Sequence, residues 1–327
     1  MKKRLSVLLP NFNNASYLKE CLDCISDQTF VDFQVIFVDD CSSDNSLEIV
    51  DKHGDERIRV IRKEKNSGIV ETLNVGLELI DTEYFIRLDS DDRMRCDRFE
   101  KLVEFMDDNP DVDICGSAIQ TFGLREELQI YPSSSKVNRA NLIFGHSIGH
   151  ASCIFRTSTI KENKIAYQND FYRLEDYQLF YTLKDIAKTT SMNEPLYLYR
   201  QAAYNNNPYI EARKTEAYMS FYNGILNDLE VNSSPENIQK HLQLAGRIKP
   251  VFGLEKIDEY IALLLGANKG KRFFPQAELI QVLKRKREKL LYKLIDNGTL
   301  GKRELLKASI KNLGLLRYYA SKQFKKE

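Results

Sequence analysis

Two short apolar runs in the first third of the chain each stop abruptly at a cluster of carboxylates. Phe33-Gln34-Val35-Ile36-Phe37-Val38 leads into Asp39-Asp40-Cys41-Ser42-Ser43-Asp44, and Tyr84-Phe85-Ile86-Arg87-Leu88 leads into Asp89-Ser90-Asp91-Asp92. Runs of this length, rich in β-branched and aromatic residues, read as buried parallel strands. Open α/β sheets bind ligands in the crevice outside the carboxyl ends of their strands. Two strands that deliver acids to one such edge predict a single site for a cation and a polar molecule carried by it. A third run, Leu5-Ser6-Val7-Leu8-Leu9, ends in the same manner at Pro10-Asn11-Phe12-Asn13-Asn14.

Helical spacing fills the intervals between these runs. Leu18, Leu22 and Ile25 mark one face of a helix over 15–28; a second helix is expected over 46–53, and Leu73, Leu77 and Ile80 mark a third over 69–80. A short strand at Ile58–Ile61 separates the second and third. Alternation of this kind argues for right-handed βαβ units and a largely parallel sheet. A helix over 98–109 is stopped by Pro110, and strands are expected at 112–122, 152–155 and 195–200, with an acid-headed helix over 174–187. Tyr204-Asn205-Asn206-Asn207-Pro208 breaks the pattern and divides the chain into an α/β domain, 1–205, and a C-terminal helical, basic region, 206–327. Helices are expected there over 211–230, 235–246, 257–265, 275–295 and 302–324.

Charge separates the same two parts. The formal net charge is only +1, but from Lys269 onward there are 17 Lys and Arg against 5 Asp and Glu. That segment therefore carries +12 and the rest −11, an asymmetry that points to an anionic partner for the tail. The basic helix around Lys284-Arg285-Lys286-Arg287 has apolar positions at Leu279, Ile280, Leu283, Leu290, Leu291 and Leu294. It reads either as a membrane-surface helix, with leucines near Leu290 inserted, or as a packed helical subdomain with solvated lysines. Nucleic acid is a poor partner for it, because aromatics are sparse there and no recognisable module is present. No run approaches the roughly 18 apolar residues that span a membrane. The six cysteines form no disulfide-like framework, which suits a reducing compartment. The expected location is cytoplasmic, with peripheral contact at the inner face of the cell membrane.

Asp89-Ser90-Asp91 places two carboxylates two residues apart at a strand end, where extended backbone turns both to one side. Hard oxygen ligands with open positions suit Mg²⁺ or Mn²⁺, which keep water and bridge substrate phosphates. Alone, the triplet is equally well read as a solvated acidic turn. Its company is more specific: Val7-Leu8-Leu9-Pro10-Asn11-Phe12-Asn13, Val38-Asp39-Asp40, Asn66-Ser67-Gly68, Asn74-Val75-Gly76, Arg87-Leu88-Asp89-Ser90-Asp91-Asp92, His150-Ala151-Ser152 and Glu175-Asp176-Tyr177-Gln178-Leu179. In order and spacing, over about residues 4 to 200, this set resembles family 2 of the glycosyltransferases, with the GT-A fold. The resemblance implies inverting transfer of one sugar from a nucleotide-sugar, UDP-linked, to a hydroxyl of a saccharide or lipid-linked saccharide during cell-surface polysaccharide assembly.

The resemblance also distributes roles. It implies that Pro10, Asn11 and Asn13 line the nucleotide pocket and that Asp40 accepts the N3–H of a uracil-type base. Gly68, Asn74, Arg87 and Ser90 belong to the same nucleotide-sugar site, Gly68 and Gly76 being readable equally as helix-packing glycines. Asp89 faces the ribose and the metal shell, and Asp91 ligates Mn²⁺ or Mg²⁺. Of the acidic pair at a helix start, Asp176 is the first choice for the base that activates the acceptor hydroxyl, and Glu175 the second. His150 falls near the acceptor or the diphosphate, or is a packed structural histidine; its i, i+4 spacing from His146 fits a loop better than zinc on a helix. Relatives have Gly where Cys41 stands and often a His after the Tyr-Arg pair, where this chain reads Gln201-Ala202-Ala203, which leaves a third protein ligand to the metal open. Two other readings remain open at this level: a sugar nucleotidyltransferase, and a non-catalytic assembly partner that keeps the fold.

Overall fold

The computed structural model of the chain describes residues 2–201 and 207–296. Strand and helix alternate as the sequence predicts through β1 (Leu5–Asn11), α1 (Ala15–Ser26), β2 (Phe33–Asp39), α2 (Ser46–His53), β3 (Ile58–Arg62), α3 (Ile69–Leu79) and β4 (Tyr84–Arg87). A two-residue β5 (Arg93–Met94), α4 (Arg98–Asp108), β6 (Ile114–Gly123) and β7 (Leu128–Gln129) follow. Then come α5 (Ser135–Asn141), a 3-10 turn (His150–Ser152), β8 (Ile154–Arg156), α6 (Thr157–Glu162), α7 (Glu175–Thr182) and the long β9 (Thr189–Gln201).

The described strands form one sheet in the order β3-β2-β1-β4-β8-β6-β9-β5, with β7 paired to β6. The first four are parallel, and their register sets Leu5 opposite both Phe33 and Tyr84 and Asn11 opposite Asp39. Equal starting points bring the ends of β1 and β2, seven residues each, and the residues that follow the four-residue β4 to one edge, and the carboxylates arrive there together. The second half adds the antiparallel part of this mainly parallel sheet. β8 runs antiparallel to both β4 and β6, and β6 and β9 are parallel to each other. Strand existence is written in apolar runs; strand direction is not, because a three-residue strand carries no connection signature of its own.

The core lies between the sheet and its helices. Leu18, Cys21, Leu22 and Ile25 of α1 are fully buried, and Phe33 meets Phe99 of α4 edge-on at 5.2 Å. Gly76 of α3 is a packing glycine: a Cβ there would lie 2.0 Å from Leu8 Cδ1. Arg98 is buried completely, its guanidinium donating to the Ala151 carbonyl at 2.8 Å and lying 4.9 Å from the Tyr197 ring centroid.

Two compact units divide between Ile225 and Leu226, inside α8 (Pro208–Asp228). Most of the Tyr204–Pro208 break lies outside the described residues. The second unit contains α9 (Pro235–Ala245), α10 (Leu254–Lys271) and α11 (Gln276–Asp296). Its core includes Ile238, Leu242, Ile257, Leu264, Leu279 and Leu283, and the buried His241 Nδ1 lies 2.8 Å from the Tyr260 hydroxyl. Leu290, Leu291 and Leu294 are buried as well, so the leucines offered for membrane insertion are already packed. The helix expected over 302–324 lies outside the described residues. No described helix is long and apolar enough to cross a membrane.

Candidate active site

A cleft of about 340 Å³ opens at the shared strand edge, lined by Pro10, Asn11 and Phe12 from β1 and its end, Asp40 after β2, Gly68 and Thr72 at the start of α3, and Asp89 and Ser90 after β4. That volume falls within the roughly 300–1,000 Å³ of small-molecule sites. The floor is rigid. Asp39 accepts from Asn11 Nδ2 at 3.0 Å and from the Ser42 backbone N–H at 2.9 Å, holding the turn after β2. Asn13, in the left-handed region at φ 53, uses its side-chain oxygen on the Ser43 N–H at 2.8 Å. Asp44 accepts from the N–H groups of Ala15 and Ser46, so it is a turn and helix-start residue.

Asp40 is almost fully buried and meets Lys63 Nζ at 2.7 Å. Its oxygens also accept from the backbone N–H of Ser67 at 3.0 Å and of Gly68 at 2.8 Å. Burial works against the ionised form, but Lys63 and the two N–H groups override it and hold the carboxyl below its usual range. An ionised carboxylate has about four acceptor positions, so Asp40 retains capacity toward the cleft. Gly68 has φ 88 at the start of α3 and no atom near its Cβ position, so backbone conformation is what requires glycine. Asn11 Oδ1 is buried without a hydrogen-bond partner while its Nδ2 is held by Asp39 and Ser42. Asn11 itself lines the cleft. Phe12, 47% exposed, presents a ring to the same cleft.

The second acid cluster stands on the opposite lip. Asp89 pairs with Arg87, whose guanidinium is buried and whose Nε has no hydrogen-bond partner among the described residues. Burial would lower the Arg87 pKa, yet Asp89 and the surrounding acidic groups hold it above its ordinary value. Ser90 Oγ accepts from Asn14 Nδ2 at 2.8 Å. Asp92 accepts from the Tyr197 hydroxyl and from the Arg200 N–H, tying the loop to β9. Burial and then Asp89 push its pKa up to about 8. The Asp91 carboxylate receives no side-chain donor among the described residues; burial and Asp89 raise its pKa as well. Asp89, Asp91 and Asp92 thus crowd three carboxyl groups into one loop, and two of them resist ionisation.

At the start of α7, Glu175 and Asp176 face different neighbours. Asp176 accepts from His146 Nε2 at 2.9 Å and from the Tyr177 N–H at 2.6 Å. Burial would raise it, but His146 holds it well below the usual carboxylate range. Glu175 is pushed up, by burial first and by Asp176 second, with Arg87 opposing. His150 is buried among Phe155, Tyr167 and Phe180, with Nε2 2.9 Å from the Tyr167 hydroxyl. Burial and Arg87 drive its pKa down to about 3, so it is a neutral packed ring. Asn74 does not reach the cleft: its amide clamps the Tyr167 main chain at 2.9 Å in both directions.

Thus Pro10, Asn11, Asp40, Gly68, Asp89 and Ser90 line one cleft, while Asn13, Asn74 and His150 support it from behind. Sequence reasoning passed over Lys63 and Thr72, and considered His146 only for its spacing from His150. Lys63 carried a signal, since it directly follows β3 at the same sheet edge; His146 carried none, because its partner is 30 residues away.

Residues 6–164 match the family model described as glycosyl transferase family 2. An uncharacterized glycosyltransferase of Haemophilus influenzae is 25% identical over 271 residues, covering 78% of this chain and 80% of that protein. The poly(ribitol-phosphate) beta-N-acetylglucosaminyltransferase TarS of Staphylococcus aureus is 29% identical over 54% of this chain, and the match spans 31% of TarS. The crystal structure of TarS 1-349 in complex with UDP-GlcNAc superposes with a TM-score of 0.55 at 20% identity, covering 87% of this chain and 90% of that one. The mannosyltransferase PcManGT of Pyrobaculum calidifontis, in complex with GDP-Man and Mn²⁺, gives 0.54 at 14% identity, covering 91% and 87%. These likenesses establish the GT-A fold, in which divalent metals are commonly used. Just under half of the chain, residues 6–164, thus matches glycosyl transferase family 2, and the fold is GT-A.

Proposed function

We propose that this protein is an inverting, metal-dependent glycosyltransferase that moves a sugar from a UDP-sugar to a saccharide or lipid-linked saccharide hydroxyl in cell-surface polysaccharide synthesis. The observation that carries it is the assembly of Asp40, Asp89 and Ser90 around one cleft, with Asp91 following in the same loop and Glu175 and Asp176 at the start of α7. The TarS complex with UDP-GlcNAc supports the choice of donor. The catalytic part is assigned to 1–205 and the helical, basic part to 206–327. A thermal-shift screen of nucleotide-sugars with and without Mn²⁺ tests the reading; no shift with any UDP-sugar overturns it.

The nucleotide enters between Phe12, Asn11 and Asp40, with the base N3–H directed at Asp40 and with Asn11 Oδ1 as a second acceptor. Asp91, with Asp89 beside it, fits Mn²⁺ or Mg²⁺, since these ions accept one or two carboxylates and complete their shell with phosphate and water. When bound, the ion offsets the charge that builds on the departing diphosphate. Arg87 pairs with Asp89 and holds it in place. Transfer forms the bond from the acceptor oxygen to the anomeric carbon and breaks the bond from that carbon to phosphate. The hydroxyl proton passes to Asp176 on the face opposite the leaving group.

Two measurements probe the outer parts of this reading. Calorimetry should show UDP binding at least about tenfold more tightly than CDP, with Asp40→Ala removing most of the difference, because a charge-assisted bond to N3–H is lost. Equal wild-type affinities would end the base-reading role. The tail is assigned to an anionic membrane surface through exposed Lys284, Arg285, Lys289 and Lys293, without leucine insertion. Co-sedimentation with vesicles should then rise with phosphatidylglycerol content, fall with salt, and be lost when these four residues are replaced by Glu. Binding that is indifferent to salt would exclude an electrostatic contact.

A further inference from the structure

We infer that His146 is a positioning residue that clamps Asp176 in an ionised, fixed orientation for the transfer reaction. The inference rests on the glycosyltransferase reading above. His146 lies in the loop between α5 and the 3-10 turn, remote in sequence from the helix that carries the acids. Its Nδ1 lies 2.7 Å from the Ile148 carbonyl oxygen, which can only accept, so Nδ1 carries a hydrogen. Its Nε2 lies 2.9 Å from Asp176 Oδ2, an acceptor whenever the carboxyl is ionised. Two acceptors at two ring nitrogens require both to be protonated, and the ring is then a cation. The other oxygen, Asp176 Oδ1, is held by the Tyr177 N–H at 2.6 Å.

The ring itself is fixed by stacking on Phe180, with centroids 5.5 Å apart and planes 26° from parallel. His146 thus orients a carboxylate rather than the carboxylate orienting a histidine, the reverse of the serine-protease arrangement. Both Asp176 oxygens keep a free lone pair, so a hydroxyl can approach without displacing either donor. The pairing has a chemical cost, since a carboxylate beside a cation is a weaker base. The cost is tolerable because an attacking hydroxyl becomes strongly acidic as its oxygen bonds to the anomeric carbon. What the base must supply is a fixed position and an empty proton site at every working pH.

Other ionisable groups near the pair are Glu175 on α7, His150 on the 3-10 turn, Tyr167 in the segment before α7, and Arg87 on β4. Arg139 of α5 and Lys184 share a small pocket with His146, and Arg139 is paired with Asp185. His150 is buried neutral, which leaves His146 as the cation in hydrogen-bond contact with Asp176.

Nitrogen-15 NMR of the full chain, labelled at its four histidines, tests the clamp without substrate, with His146→Asn identifying the signal. At pH 7 both ring nitrogens of His146 should show N–H shifts, and Asp176→Asn should return the ring to a neutral tautomer. A neutral His146 in the wild type overturns the inference. Kinetics test its consequence, using UDP release from the UDP-sugar that the protein turns over. His146→Ala should lower kcat about 10- to 100-fold, in line with loss of an orienting partner, while UDP affinity is unchanged. The acid limb of its kcat profile should move to higher pH, because Asp176 loses the cation that keeps it ionised. His146→Asn, which can donate one neutral hydrogen bond, should recover part of kcat but not the acid limb. An unchanged kcat and profile in His146→Ala would reduce the contact to packing. Failure of the wild type to bind UDP would instead overturn the glycosyltransferase reading and leave the NMR result standing.

Discussion

Asp91→Asn should reduce sugar transfer by about a thousandfold or more while leaving the fold intact. The substitution is nearly isosteric and removes a charge that no described side chain pairs with, so it relieves crowding with Asp89 and Asp92. A thermal-unfolding midpoint equal to or above wild type is therefore expected, because burial and like charge both disfavour the native ionised carboxyl. Activity should move the other way. Without a charged ligand at this position, the diphosphate leaves without the electrostatic stabilisation that is usually the largest single contribution to such reactions. Mn²⁺ titration of UDP binding separates the two effects: the wild type should bind UDP more tightly with metal, and the variant should show little difference. Near wild-type transfer by Asp91→Asn would remove the metal from this residue.

The legible part of the site is the part made by strand ends. Parallel strands that start in register deliver their next residues to one edge, so apolar runs ending at Asp39–Asp40 and Asp89–Asp91 located the cleft before any coordinates. The same rule applied to β3 would have found Lys63, which holds Asp40. Roles that depend on side-chain direction were not legible. Asn74 and Asn11 are both asparagines in matching motifs, yet one clamps the Tyr167 backbone and the other keeps a bare acceptor in the cleft. Gly68 and Gly76 look alike in sequence, but one is set by a positive φ and the other by contact with Leu8.

The second half of the sheet was legible as strands and not as topology. β8 is three residues long and lies between β4 and β6, antiparallel to each, so no helical crossover announces its direction. The short α5 and α6, and the two-residue β5 and β7, fall below the length at which periodicity can be read. In the second unit the leucine pattern of α11 predicted a buried face correctly and its partner ambiguously. A hydrophobic stripe states that something covers it, and here α9 and α10 belong to the same packed unit.

Asp176→Asn should slow transfer by about 10²- to 10⁴-fold while retaining UDP and metal affinity, and Glu175→Gln should weaken both transfer and donor binding. The two acids adjoin in sequence but not in environment. Asp176 is held ionised by His146 and the Tyr177 N–H, away from Arg87, so its loss removes a proton acceptor without disturbing the nucleotide side. Glu175 feels Arg87 and Asp89, and its pKa is raised by burial and by Asp176. Neutralising it should change the electrostatic balance at Arg87, and through Arg87 at Asp89, which belongs to the donor site. General-base removal typically costs about 10²- to 10⁴-fold, so kcat for Asp176→Asn should fall into that range with the donor KM unchanged. Donor affinity lost in Asp176→Asn would make that residue part of the nucleotide site. An active Asp176→Asn beside an inactive Glu175→Gln with normal UDP binding would move the base to Glu175. In that case the raised pKa of Glu175 is the tuned property, and the clamp from His146 serves to keep Asp176 charged and so to keep its neighbour basic.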